Sequence, residues 1–152
     1  MFVLTDSTEI RAAPEKVFRW FKGLRGKADY QSWHPDHVDV CWTKGEPFEE
    51  GSIARFKEYI HGQLYTFTFL CTKVVPNRMI EYRSLFPWSV VMSKGAFVLE
   101  PRGQDGCIFT ATISLRLGPL CRKLVRRRLE ALKQHMKEEG EILKRLLEAN
   151  GN

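Results

Sequence analysis

Along residues 55–63, "RFKEYIHGQ", apolar and polar positions alternate with the period of a half-buried strand. Phe56, Glu58 and Ile60 share one face, while Lys57, Tyr59 and His61 share the other, so the apolar face carries a carboxylate. The strand period persists over most of residues 38–117. "VDVCWTKG", "GSIARFKEYIHG", "QLYTFTFLCTKVV", "MIEYRSLF", "SKGAFVLEP" and "CIFTATISLRLG" read as strands. Short turns rich in Gly, Pro and Asn divide them, which predicts an antiparallel meander. The opening "FVLTDSTEIRA" also has strand composition. Next, "APEKVFRWFKGL" reads as a short helix, with Pro14 near its start and Val17, Phe18 and Phe21 at helical spacing. "RGKADYQSWHPDH" is polar, aromatic and irregular, and Pro35 argues against a long helix there.

From Pro119 to Asn150 the period changes to that of a helix. Val125, Leu132, Met136, Leu143 and Leu146 fall within about 40° of one line on the helical wheel. That stripe needs a partner, and the sheet is the only large one available. The predicted fold is α+β: one domain over residues 1–152, with a curved antiparallel sheet wrapped around a long C-terminal helix. Such a helix-grip layout leaves a cavity between sheet and helix.

Charge and composition change this picture little. The net charge is +6, and much of the excess sits in "CRKLVRRRLEALK" at 121–133, where a solvated basic helix face is the simplest reading. No nucleic-acid motif accompanies it, so no specific nucleic acid is expected, and attraction to membrane surfaces is equally unspecific. No apolar run approaches the roughly 20 residues of a membrane span. "MFVLTDSTEI" lacks the basic start and apolar stretch of a signal peptide, which makes a cytoplasmic location the expectation. Cys41, Cys71, Cys107 and Cys121 form no C-x-x-C pair and read as free, buried thiols.

The long helix repeats the anomaly of Glu58. Glu139 lies about 20° from Leu132, inside the apolar stripe, while His135 lies about 60° away on its shoulder. Glu138 points the other way and is expected in solvent. His135 and Glu139 are thus neighbours one turn apart, facing the sheet. Burying a lone carboxylate costs several kcal/mol or forces it to stay protonated. Two of them call for a shared cation. Arg83 or Arg116, both on strands, would serve, with His34 and His37 then left as surface loop residues. A divalent metal would serve as well, held by Glu58, His135, Glu139 and one histidine of "WHPDH" at 33–37.

Together, "IRAAPEKVFRWFKGL", "YQSWHPDHV", "EYRSLFPWSVV", "FVLEP" and the C-terminal helix resemble the START/Bet v 1-like superfamily, also called the SRPBCC or polyketide cyclase-like group. That resemblance implies a helix-grip fold with a hydrophobic cavity for a small hydrophobic or aromatic ligand. "WHPDH", "FKEYIHG" and "HMKEEGEILKRLLE" further resemble the metal-binding segments of the 2,4-diacetylphloroglucinol and phloretin hydrolases. In that family two His and two Glu hold zinc, so the resemblance implies His34, Glu58, His135 and Glu139 as ligands, with His34 chosen for its place between Trp33 and Pro35. It leaves His37 as a proton carrier. Of the remaining proton donors, Tyr30, Tyr59, Tyr65 and Tyr82, Tyr30 stands nearest in sequence and joins His37 as catalytic candidate. The implied activity is zinc-dependent hydrolysis of an aromatic or acylated polyketide-like substrate at a ring–acyl C–C bond. The alternatives are a non-enzymatic carrier of a hydrophobic ligand and a metal-free polyketide cyclase.

Overall fold

A computed structural model of the chain describes residues 1–149; the predicted helix end at Asn150 and the last residues of the predicted domain lie outside the described residues. The strands are β1 (Phe2–Ile10), β2 (His37–Lys44), β3 (Ile53–Ile60), β4 (Gln63–Val75), β5 (Met79–Ser84), β6 (Met92–Arg102) and β7 (Gly106–Leu115). They form one seven-stranded sheet in the order β1-β7-β6-β5-β4-β3-β2. Each sequential neighbour from β2 to β7 pairs antiparallel, as the meander reading requires, and β1 closes the sheet against β7.

The helices are α1 (Pro14–Lys22), α2 (Lys27–Trp33), α3 (Pro119–Leu124) and α4 (Arg126–Ala149). α1 begins on Pro14 and buries Val17 and Phe21. The segment read as irregular contains the two-turn helix α2. Its start is fixed by the Asp29 carboxylate in the first turn, which accepts the backbone N–H groups of Arg25 and Gly26 just ahead of the helix at 3.0 and 3.2 Å. Its Tyr30 and Trp33, three apart, are both buried.

The C-terminal helix is not continuous. Val125 leaves helical geometry at φ −105° and ψ 20°, separating α3 from α4. Its branched side chain joins Leu129 and Leu132 in the lining of the internal cavity. α4 then lies across the sheet and buries His135, Met136, Gly140, Leu143 and Leu147, so Leu147 takes the deeper place expected for Leu146. Gly140 is where α4 meets β1: a Cβ there would lie 2.3 Å from Thr8 Oγ1. At the far end the Arg11 N–H donates to Glu148 Oε2 at 2.7 Å, and Lys16 Nζ to the Leu147 carbonyl at 2.9 Å. Phe21, Phe97 and Phe109 stack beside Trp33 to fill the core between α1 and the sheet. Cys71 and Cys107 are buried as expected, but Cys41 and Cys121 are exposed. Cys41 follows inward Val40 on β2 and so faces out.

Candidate metal and ligand site

Inward alternation on β3 buries Ala54, Phe56, Glu58 and Ile60, as the sequence pattern demands. Opposite Glu58 the same rule on β2, counted back from buried Val40, would place Val38. Instead the register slips by one residue, pairing Asp39 with Lys57 but His37 with Glu58. This irregularity turns His37 inward, a re-aiming that bulges commonly perform beside functional sites. His37 is then fully buried. Its ring stacks on Tyr30 of α2 at 3.7 Å and 10°. From the other side α4 contributes His135 and Glu139, neighbours on consecutive turns. Trp33 ties the two helices by donating from Nε1 to the Glu139 carbonyl at 3.1 Å.

Four side chains therefore converge: His37, Glu58, His135 and Glu139. His37 Nε2 lies 2.7 Å from Glu139 Oε2, 3.2 Å from His135 Nε2 and 3.6 Å from Glu58 Oε2. His135 Nε2 lies 3.2 Å from Glu139 Oε2 and 3.9 Å from Glu58 Oε1. The His37 tautomer follows from its other nitrogen. Nδ1 is 2.9 Å from the Tyr30 carbonyl, which can only accept, so Nδ1 carries a proton and Nε2 is the nitrogen turned inward, the one a metal ion would take. Tyr30 donates its hydroxyl to Glu58 Oε2. Burial, followed by Glu58 and Glu139, holds the Tyr30 phenol well above its ordinary pKa.

Electrostatics bind the cluster further. Burial alone would lower the pKa of His135, but Glu139 and Glu58 more than reverse this and push it up to about 9. Burial likewise opposes ionisation of Glu139, yet His135 and His37 outweigh it and hold its carboxyl well below the usual range. The donor set also suits a divalent ion. Metal–donor bonds of about 2.0–2.2 Å put the corners of a tetrahedron about 3.3 Å apart; the separations that involve a histidine run from 2.7 to 3.9 Å, and all four donors lie within 4.8 Å of one another. Two neutral imidazoles with two carboxylates balance a 2+ charge.

The structure exchanges the places expected for His34 and His37. His34 is buried, but both its nitrogens are engaged: Nδ1 accepts the Asp36 N–H at 2.9 Å, and Nε2 donates to Glu138 Oε1 at 2.9 Å. It packs behind His135 with ring centres 4.2 Å apart, so it backs a cluster member instead of joining the cluster. His34, Asp36 and His135 also lie close enough to be grouped, although the bond from Asp36 N–H already occupies the His34 lone pair. Glu138, expected free in water, is half-buried against His34. Arg83 and Arg116 are exposed, and neither neutralises the buried carboxylates. Glu58 and Glu139 stand on one side of the cavity as parts of one cluster.

Glu58, His135 and Glu139 form the polar end of a cavity of about 350 Å³, with His37 buried behind them, and its other walls include Phe56, Phe67, Phe69, Phe97, Trp88 and Leu132. Tyr82 also faces it. The ring sits over Gly95, its partner across β5 and β6, where any Cβ would lie 2.3 Å from the Tyr82 hydroxyl. A glycine inside a strand signals such close approach, and "SKGAF" carried that signal in the sequence. Burial above all, then Glu139 and Glu58, raise the Tyr82 phenol pKa. Tyr59, by contrast, is exposed on the outer face.

A curved antiparallel sheet gripping a helix over an aromatic cavity defines a START/Bet v 1-type helix-grip protein. The chain belongs to the family described as polyketide cyclase / dehydrase and lipid transport, whose sequence model matches residues 1–148. No curated protein matches the sequence. Among solved structures, TTHA0849 from Thermus thermophilus is similar with a TM-score of 0.77 and 17% identity, over 99% of this chain and 100% of that one. The Zhui aromatase/cyclase from a Streptomyces species gives a TM-score of 0.68 and 16% identity, over 99% of each chain. A START superfamily protein from Mycobacterium smegmatis gives 0.64 and 20%, over 93% of this chain and 98% of that one. No helix among the described residues is long and apolar enough to cross a membrane.

Proposed function

We propose that the protein is an enzyme that takes an aromatic, polyketide-like substrate into the cavity and acts on its carbonyl end at the His37, Glu58, His135 and Glu139 cluster, with a divalent metal such as zinc held there. The observation that carries this reading is the convergence of four donors, all within 4.8 Å of one another, three of which line the polar end of a largely apolar cavity. A bound divalent ion would supply Lewis acidity to a carbonyl or to water. The protein's own groups do the rest. The Tyr30 carbonyl fixes the His37 tautomer, and the Tyr30 hydroxyl holds Glu58 in place. Aromatic walls exclude water and bind flat rings. Tyr82, kept protonated by its raised pKa, is placed to donate to the substrate. Cyclisation or dehydration fits the family description; cleavage of a ring–acyl bond is the narrower reaction that the resemblance in the sequence implies.

A metal-free cyclase is the second reading, and the pairing of His135 with Glu139 favours it, since protons shared among the four groups also satisfy them. Elemental analysis of the purified protein, followed by calorimetric zinc titration, separates the two. About one metal per chain, lost in Glu58→Gln/Glu139→Gln, is expected. Absence of metal on purification together with no heat on titration would leave the metal-free reading. A protein that retains an aromatic ligand but never turns over acylated phloroglucinols or related polyketides would be a carrier.

A further inference from the structure

Arg128 takes no part in the cluster above, yet it stands on the same line of α4. Arg128, Leu132, His135 and Glu139 follow one another at helical spacing, and all of them line the cavity. Arg128 and His135 are two turns apart, so their backbone positions differ by about 10 Å along the helix, with Leu132 forming the wall between. Arg128 is exposed and therefore marks where the cavity meets solvent. Among the described residues it is the one Lys or Arg in the cavity lining.

Neutral partners hold this guanidinium in place. Its Nη1 donates to Gln63 Oε1 at 3.0 Å and to the Tyr65 hydroxyl at 2.7 Å, both at the start of β4. The Tyr65 ring is itself fixed, stacked on Phe67 and edge-on to Trp88 with centres 5.6 and 5.3 Å away. Among the described residues Arg11, Arg25, Arg102 and Arg126 pair with carboxylates, and Arg128 does not. Its Nε and Nη2 are left to donate, and the planar fork they belong to matches the two oxygens of a carboxylate. Beside it, His61 and residues 123–128 line a surface cleft that contains no acidic residue, which keeps the potential there positive. At the other end of the cavity stand Glu58 and Glu139, which repel an acid when no metal is present. An amphipathic acid thus has one favourable orientation.

We propose that Arg128 is a specificity-determining residue that takes the carboxylate of an aromatic acid, whose rings lie along Leu132 and whose far end reaches the cluster. The substrate class is then an aromatic or polyketide-like carboxylic acid in place of a neutral molecule. A single cation in the lining suits a monoanion, whereas a phosphate dianion would call for a second. This inference rests on the reading of the cavity as the substrate site, and it does not depend on a metal.

Calorimetric titration of the full chain tests it, after a chelator has stripped any metal and been removed, so that no acid can bind through an ion. The probes are a biphenyl carboxylate and its neutral amide, which share one shape. Wild type is expected to bind the acid about tenfold more tightly than the amide at low salt, with the preference shrinking as salt rises. Arg128→Gln is expected to lose the preference while binding the amide within about twofold of wild type. Arg127→Gln removes the same charge from the neighbouring position, outside the cavity lining, and is expected to keep the preference. Both side chains are exposed, and melting temperatures check that each variant folds. Equal binding of acid and amide by wild type would overturn the inference and leave the cavity as a site for neutral molecules. So would a preference that survives Arg128→Gln or one lost equally in Arg127→Gln. An amide affinity that falls as far as the acid's in Arg128→Gln would also overturn it, showing only a strut between α4 and β4. Binding of neither probe would overturn the reading of the cavity and this inference with it.

Discussion

Replacing Gly140 by Ala sets two known effects against each other. In an exposed helix interior the change is worth about 1 kcal/mol in favour of Ala. Here the new Cβ would lie 2.3 Å from Thr8 Oγ1, 3.3 Å from Thr8 Cβ and 3.4 Å from Asp6 Oδ2. The first contact is short by on the order of 1 Å. Rotating Thr8 substitutes a methyl for the hydroxyl and leaves the tight Cβ contact unchanged. Overpacking of this kind costs about 1–3 kcal/mol, so the net loss is about 0–2 kcal/mol. Thr8→Ala removes the clash, so the double variant regains the helical gain and shows a coupling of about 1–3 kcal/mol. Urea denaturation of the four proteins measures this cycle. Glu139 adjoins Gly140, so pushing α4 off β1 is also expected to weaken zinc binding in the single variant, with recovery in the double. A more stable Gly140→Ala with Thr8 intact, additive with Thr8→Ala, would refute the reasoning.

Three further outcomes are expected. His37→Ala is expected to abolish tight zinc binding, whereas His34→Ala loses about tenfold through weaker backing of His135; calorimetry giving the reverse order would restore His34 as the ligand. Tyr30→Phe leaves Glu58 without its donor, a loss of about 1.5–3 kcal/mol for a bond to a charged group. At about 2–4 °C per kcal/mol in a domain of this size, its melting temperature falls by about 3–12 °C, and an unchanged temperature would show that the bond contributes nothing. Finally, His135 in the metal-free protein has its pKa raised to about 9. Its contribution, about 3 kcal/mol, is present below the unfolded value of about 6.5 and is lost as pH rises through 9. Zinc-loaded protein is expected to move the opposite way over that window, since protons compete for the ligands. Denaturation at pH 6, 7.5 and 9 with and without zinc checks both signs, and parallel curves would contradict them.

The sheet and the helical pair were legible because each obeys a strict local period. Glu58 betrayed itself by alternation, and His135 and Glu139 by their place on the wheel. His37 was not legible in that way. Alternation counted back from Val40 points Val38 inward, and only the register slip against β3 brings His37 to Glu58. Such a slip depends on pairing between strands and leaves no periodic mark in either one. α2 was missed for a similar reason, because its first turn rests on one Asp29 side chain and its packing on distant partners. The break at Val125 was hidden because the apolar stripe starts at that residue and continues at helical spacing beyond it, while Leu120 and Leu124 lie off the stripe and face outward.

The order of the sheet also sets an order in time. β2 to β7 are neighbours in sequence and can zip together hairpin by hairpin as they leave the ribosome. β1 is made before them, yet among the described residues its one strand partner is β7, with Phe2 opposite Leu115 and Ile10 opposite Cys107. Until β7 emerges, Leu4 and Ile10 have no sheet to cover them, and until α4 is released the concave face stays open. Long-range pairing of this kind slows folding and prolongs exposure of sticky surface. Synthesis interrupted within α4 therefore yields a nearly complete sheet with an unsealed core, the species most prone to aggregate.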